Sequence, residues 1–539
     1  MTIKQADLKQ FRLERRGHRS GYDGSKRRGA LLLIVLVAIV ILSLAAYTFM
    51  GLMQTEEEST RLQTRRLQCK YLSDSGLDFV RLYLSNSEAT IRQKGGRWDN
   101  PEFFQGIPVA VDMNNPNQIG YFSIITSSLD DMGDPYNSRF GLVDESCKIN
   151  LNTLPFSDAL QPGSGRNILM ALPNMTEDIA DAIMDWLDAD DDVRDFGAES
   201  SFYESLNPAY QTKNGPMDSL DELLLIRDVT PQLLFGLDTN RNGVLDLDEA
   251  SAGEVSIDDP AMYLGWASFL TLYSKESNLT SEGLPRINVN ADDLEQLYDD
   301  LKSAYDDNWA NFVIYYRCAQ SEPTPTLPED LDEDQIIKAS QIQPDFSNLQ
   351  SQRKFNTILD LVNVYIDMSQ WDDENLTSFA ESPVTAFNIG FSMPSLMASM
   401  TTYEGSTVPG RINIMQAPRN VMLGIPGLDE ETVDDIIAAR EFELDQPDGA
   451  DMNRRYETWI LLEGHVDLET MKSLMTYVCT GGDVYRAEIV GYFPDGIGTS
   501  RAEAVIDTTV PIPRVLFWRD KSHLSTGYSI DRLGINLIE

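Results

Sequence analysis

The sequence predicts an α+β chain: a long N-terminal helix that crosses a membrane, a sheet built from two distant stretches, and a large, mostly helical region inserted between them. Three observations predict it. Ala30 to Met53 is a 24-residue run without a charge, directly behind Lys26-Arg27-Arg28. Short β-rich segments lie at 107–143 and again at 484–518, and over 300 residues of mainly helical pattern separate them. The 539 residues allow about three domains and are 42% hydrophobic and 24% charged, which argues against a disordered or collagen-like chain. A net charge of −42 repels nucleic-acid phosphates and argues against generic DNA or RNA binding. His18, His465 and His523 are the only histidines and lie too far apart for a local zinc motif.

The N-terminus comes first. Residues 1–29 carry nine Lys or Arg and three acids, +6, so the remainder is −48. A 24-residue apolar helix is long enough for a bilayer, and the basic flank places the N-terminus in the cytoplasm with the acidic bulk outside. A cleaved secretory signal has a shorter apolar stretch with its small residue after it; here Gly29 precedes the stretch. The order Lys26-Arg27-Arg28-Gly29 followed by Ala30-Leu31-Leu32-Leu33-Ile34 resembles a type IV prepilin leader. That resemblance implies cleavage by a prepilin peptidase between Gly29 and Ala30, with the apolar segment retained.

Beyond Met53, Leu62, Cys69, Leu72, Gly76, Val80 and Tyr83 form one helical stripe, so a single helix is expected from Ala30 to about Ile91, roughly 90 Å long. The β segments then follow: 107–111, 121–126 and 140–143, and at the far end 484–493, 502–506 and 514–518.

The inserted region repeats weakly. Lys148-Ile149-Asn150-Leu151-Asn152 recurs as Arg286-Ile287-Asn288-Val289-Asn290 and as Arg411-Ile412-Asn413-Ile414-Met415. After the first and third copies, Leu172–Met175 and Ile425–Leu428 precede helical patterns that Thr176 and Asp429 can cap. These resemble helix-hairpin-helix motifs. They lack the basic residues of the DNA-binding form, and Asp178, Asp181, Glu430, Glu431, Asp434 and Asp435 crowd the second helix, so they read as structural.

Ile149–Asn152, Asp185-Trp186-Leu187-Asp188-Ala189-Asp190, Gly197-Ala198-Glu199, Tyr203 and Ser219–Leu223 together resemble the K-type minor pseudopilin of type II secretion systems, as does the later hairpin ending at Ala438-Ala439-Arg440. The likeness runs from Gly29 to about residue 507, with a longer, less familiar stretch at about 250–400. It implies a pilin-like α/β domain with a helical domain inserted, a place at the pseudopilus tip beside the I- and J-type minor pseudopilins, and contact with the inner-membrane assembly platform. Most pilins carry Glu at the fifth mature position; Ile34 stands there, as in K-type subunits.

Metal chemistry is explicit in one place. Asp238-x-Asn240-x-Asn242-Gly243-Val244-x-Asp246-x-x-Glu249 fits the EF-hand loop pattern. Asp238, Asn240 and Asn242 offer side-chain oxygens, Val244 a carbonyl, Asp246 the position often bridged by water, and Glu249 the bidentate carboxylate for Ca2+. Asp188-x-Asp190-x-Asp192 begins like a second loop, with Val193 in place of the Gly. The family resemblance favours calcium there, against a solvated acidic face. Ser219–Glu222 reads as a capping box and Ser321–Asp334 as a surface linker. The cysteines are Cys69, Cys147, Cys318 and Cys479, and a bridge from Cys69 to Cys147 or Cys479 is one possibility.

The expected organisation is a leader at 1–29, a transmembrane and pilin helix at 30–93, sheet residues 94–150 and 481–539, a calcium-binding helical domain at 151–410 and a helix-hairpin-helix-like segment at 411–480. The expected function is a non-enzymatic tip pseudopilin that starts or caps pseudopilus assembly. A minor pilin of a type IV pilus or DNA-uptake system is the nearer alternative, and a membrane-tethered calcium-dependent hydrolase the alternative of another class.

Overall fold

The computed structural model describes residues 26–110, 119–127, 137–252, 263–327, 335–371, 378–440, 454–525 and 527–534. Two compact units are present, 1–65 and 66–539. In the first, the chain is helical from Lys26, and the stretch from Leu31 is exposed, apolar and of membrane-crossing length. Leu62, expected on the buried stripe, is exposed. The leader residues 1–25 lie outside the described residues.

The helix α1 (Lys26–Leu84) ends seven residues before Ile91. Ser85 and Asn86 turn their side chains back onto the carbonyls of Arg81, Leu82 and Tyr83, and Ser87 caps a new short helix at Thr90 N–H. Short polar side chains that bond the backbone locally stop helices in this way.

In the second unit, one six-stranded antiparallel sheet takes β1 (Ile107–Ala110), β2 (Gly120–Ile124) and β3 (Val143–Asp144) from the first stretch. From the last it takes β4 (Val484–Tyr492), β5 (Thr499–Asp507) and β6 (Arg514–Asp520). The order is β1-β2-β4-β5-β6, with β3 pairing the other end of β4 at Tyr485 and Arg486. Phe140 and Gly141 bend and Leu142 is irregular, so only Val143 of that expected segment reaches the sheet.

The two faces of this sheet differ. Tyr485, Ala487 and Ile489 of β4 pack with Phe122, Ala504 and Ile506 against Val80, Tyr83 and Leu84 of α1. Burying each such aliphatic side chain contributes about 2 kcal/mol. Two glycines set the approach: a Cβ on Gly76 would sit 2.5 Å from Ile489 Cγ2, and one on Gly491 would sit 2.3 Å from the Cys69 carbonyl oxygen. The opposite face carries an ionic row. Arg486 bridges Glu145 and Glu503, Lys521 reaches Glu488 and Glu503, and Arg501 bonds Glu488.

Between β3 and β4 the three sequence repeats become three structural modules around one continuous core running from Ile149 to Val478. Each opens with a two-residue strand, Ile149–Asn150, Ile287–Asn288 or Ile412–Asn413. Each closes when that strand pairs in parallel with Leu270–Thr271, Met400–Thr401 or Val478–Cys479 respectively. In every copy the strand Asn accepts a backbone N–H two residues on, from Asn152 (3.1 Å), Asn290 (2.9 Å) and Met415 (2.9 Å). A pair of helices follows: Ser164–Leu169 with Glu177–Leu187, Leu294–Ala304 with Asp307–Cys318, and Arg419–Leu423 with Glu430–Arg440. The middle copy thus has its hairpin too, with Asp306 as the cap. Its turn at Tyr305-Asp306 lacks the Pro and Gly that mark the other two in sequence.

All four cysteines are buried and no disulfide joins them, so the possible bridge from Cys69 to Cys147 or Cys479 is not formed. The Cys69 thiol donates to the Gly498 carbonyl and the Cys479 thiol to that of Arg411. Of the expected linker, 328–334 falls outside the described residues, and Thr324 bridges to Tyr365.

Candidate metal loop and acidic cluster

The loop 238–249 is built between a short helix, Pro231–Phe235, and the helix Leu247–Ala252. Gly243, at the sixth position, has φ +72, where a side chain would be strained, and its Cβ would meet Ser127 Oγ at 2.7 Å. Asp238 accepts from Asn242 N–H (3.1 Å) and Gly243 N–H (2.7 Å), which folds the loop over the first carboxylate. Glu249, at position twelve, returns to the loop's start: its Oε1 accepts from Thr239 N–H (2.9 Å), and its Oε2 accepts from Asp246 N–H (3.1 Å). Asn240 Nδ2 donates to Asp246 Oδ2 at 2.8 Å. The donor set therefore converges on one turn. Burial, with Glu249 adding to it, pushes Asp238 up to about 6.

The loop is fastened to the ionic face of the sheet. Arg501 donates to the carbonyls of Asn240 and Arg241, Lys521 to that of Arg241, and Tyr528 to that of Asn242. Val244 is fully buried with Ile125, Val490 and Tyr492. Nothing in the sequence spacing foretold this docking, because the side chains that bond the loop's carbonyls lie 260 to 286 residues away.

The second cluster is arranged differently from its sequence pattern. Asp190 and Asp192 are exposed, and Asp190 Oδ1 only accepts Asp192 N–H in a local turn (3.0 Å). Asp188 points instead toward Arg194, which also holds Asp185 and Asp158. Glu199 is buried and receives Thr212 Oγ1 at 3.2 Å. Burial first, and the neighbouring Asp185 next, push Glu199 up to about 7; burial chiefly raises Asp185 to about 6. One buried oxygen of Asp188 and one of Glu199 have no hydrogen-bond partner. Gly197 allows this closeness, since a Cβ there would lie 1.9 Å from Asp185 Oδ2. Among the described residues, no three carboxylate, thiol or imidazole groups close on a single point as they do around a bound ion; the loop's set includes two amides.

With this geometry in view, the relatives can be compared. Residues 147–238 match the family model described as type II secretion system (T2SS), protein K. That match covers the first module from Cys147 to the opening Asp238 of the loop. The type II secretion system protein K of Aeromonas hydrophila is 46% identical over 56 residues, 10% of this chain and 17% of that protein. The chain thus spans about a sixth of the length of the curated relative it matches. Among solved structures, the GspK-GspI-GspJ complex from enterotoxigenic Escherichia coli aligns over 87% of this chain and 98% of its own, at 12% identity and a TM-score of 0.30.

Proposed function

We propose that the protein is a minor pseudopilin of the type II secretion system, of the K type, acting at the pseudopilus tip to start or cap assembly during export of folded proteins. The protein K domain at 147–238 carries this reading. The basic–Gly–apolar order at Lys26–Ile34 and a helix of membrane-crossing length support it. In this reading prepilin peptidase removes residues 1–29, Ala30 becomes the mature N-terminus, and the helix anchors the head to the inner membrane with its bulk in the periplasm. The partners are I- and J-type minor pseudopilins and the assembly platform. The sheet residues 94–150 and 481–539 form the pilin-like domain. The hairpins in 151–410 and 411–480 serve as helix-hairpin-helix-like scaffolding rather than nucleic-acid sites, and the role is assembly, not catalysis.

Calcium belongs to the same proposal. Asp238, Asn240, Asn242, Asp246, Glu249 and the Val244 carbonyl would hold one ion, whose chemistry is to neutralise and tie the loop. At the second cluster, the unpartnered buried oxygens of Asp188 and Glu199 favour a cation beside Asp185. Asp190 and Asp192 are less suited, being exposed.

Co-purification from membranes tests the assembly role. Tagged protein should retain the I- and J-type subunits and lose them when calcium is chelated. Retention of neither in calcium would reject the tip assignment. Glu249→Gln should abolish the calcium-induced rise in melting temperature that the loop supplies.

A further inference from the structure

The ionic face of the sheet, the loop 238–243 and the first module enclose a cavity of ≈ 170 Å³. A cavity of about 150 Å³ holds one benzene ring, so this one is of a size for a small organic molecule. The chain's net charge is −42, yet the cavity is lined by six cationic side chains against four carboxylates. Four of the cations are paired within the fold: Arg486 and Lys521 with Glu145, Glu488 and Glu503, and Arg519 and Arg241 with Asp221.

The remaining two are not. Arg139 is 95% buried, donates to the Trp98 carbonyl and stacks on the Trp98 ring at 3.5 Å. Its Nε has no hydrogen-bond partner. Among the described residues, no carboxylate lies within ion-pairing distance of Arg139, and the Lys148 ammonium has neither an ion pair nor a hydrogen bond. Burial pulls Lys148 down to about 8, with Arg486 beside it adding to the effect, and lowers Arg139 as well. Arg139 has no paired carboxylate, and half-buried Lys148 feels Glu145 and Glu503 only through space, carboxylates that Arg486 and Lys521 already hold, so the lining keeps an excess of positive charge that an anion would offset. Among the described residues, the lining carboxylates Asp221, Glu488 and Glu503 are already engaged, which leaves both cations open to an anion that enters the cavity. Trp98, Val143, Leu272 and Phe517 supply apolar wall.

We propose that this cavity binds a small organic anion, a carboxylate or phosphate on an apolar body, with Lys148 and Arg139 on the charge and Trp98 and Phe517 against the body. The site is independent of the pseudopilin reading.

Isothermal titration of the full chain in detergent tests it, with 3-phenylpropionate as probe and 3-phenylpropanamide and inorganic phosphate in parallel. The acid should bind saturably, and both comparators about tenfold more weakly or not at all. Lys148→Gln should weaken the acid by about tenfold. No saturable heat from the acid, equal binding of the amide, or unaltered affinity in Lys148→Gln would each overturn the site. Phosphate binding as tightly as the acid would overturn the apolar half of the assignment. Should Lys148→Gln fail to fold, Arg139→Gln offers the same readout from the other cation.

Discussion

The first and third modules repeat one backbone plan, yet different side chains hold it. In the first, Asn152 grips Met217 by both backbone groups, donating to its carbonyl (3.0 Å) and accepting its N–H (2.8 Å). The second module repeats this grip at the same spacing: Asn290 holds Phe355 at 2.9 and 2.8 Å. Both gripped residues precede a capping box by two positions, Ser219 with Glu222 and Thr357 with Asp360. The third module has Met415 at that place and lacks the grip. It uses Arg440, whose guanidinium donates to the carbonyls of Ile414 and Ala417. Arg317 occupies the same helix position in the second module and reaches the carbonyls of Val289, Ala291 and Arg353. The first module has Leu187 there. The lesson is that the fold requires the carbonyls and N–H groups behind each short strand to be satisfied, and does not require any one residue to do it.

Four predictions would break or sharpen this comparison, read by chemical or thermal unfolding. Arg317→Ala should cost most, about 3–5 kcal/mol, because it strands several buried acceptors at once; the equivalent Arg440→Ala should also destabilise, by stranding the carbonyls of Ile414 and Ala417. Next come two ion pairs at equivalent positions. Asp181 is 1% exposed and takes a two-pronged bond from Arg166, whereas Asp434, bound the same way by Arg419, is 57% exposed. Asp181→Ala should cost about 3 kcal/mol and Asp434→Ala under about 1 kcal/mol. Equal losses would contradict the role given to burial.

Asn290→Ala and Asn152→Ala should each cost about 2 kcal/mol, since an N–H and a carbonyl lose their partner. Met415→Ala should cost less, about 1 kcal/mol, by trimming apolar contact alone. The smallest effect is a slope with pH. Glu199 is raised to about 7 and Asp185 to about 6, so the calcium-free fold binds more protons than the unfolded chain above about pH 4.5. Their contribution therefore favours the fold below the ordinary carboxylate range and is lost as pH rises through about 7. Glu199→Gln should flatten that slope, and saturating calcium should flatten it in the parent protein if the cluster takes an ion.

Much of this was legible in the sequence, and the gaps have physical causes. The stripe Cys69, Leu72, Val80 and Tyr83 is buried as its spacing requires, because one helix face meets one sheet face. Leu62 follows the same period but lies where α1 is exposed, and periodicity carries no record of where the partner surface stops. The three Ile-Asn strands were visible as a repeat, whereas the middle hairpin was not, since Asp306 caps it without Pro or Gly. In the acidic cluster, alternate aspartates suggested a loop, but Asp188 is drawn away by Arg194, and Glu199 enters from beyond the pattern. The cavity's excess of cationic lining is invisible to composition, which records only the acidic excess.

The central claim is that this chain enters a pilin-type assembly pathway, and the most direct test is the intact mass and N-terminal sequence of protein taken from membranes with and without prepilin peptidase. The account predicts a mature N-terminus at Ala30 that appears only when the peptidase is present. A chain that keeps residues 1–29 in cells with active peptidase would be a static anchor and would contradict the tip-subunit role.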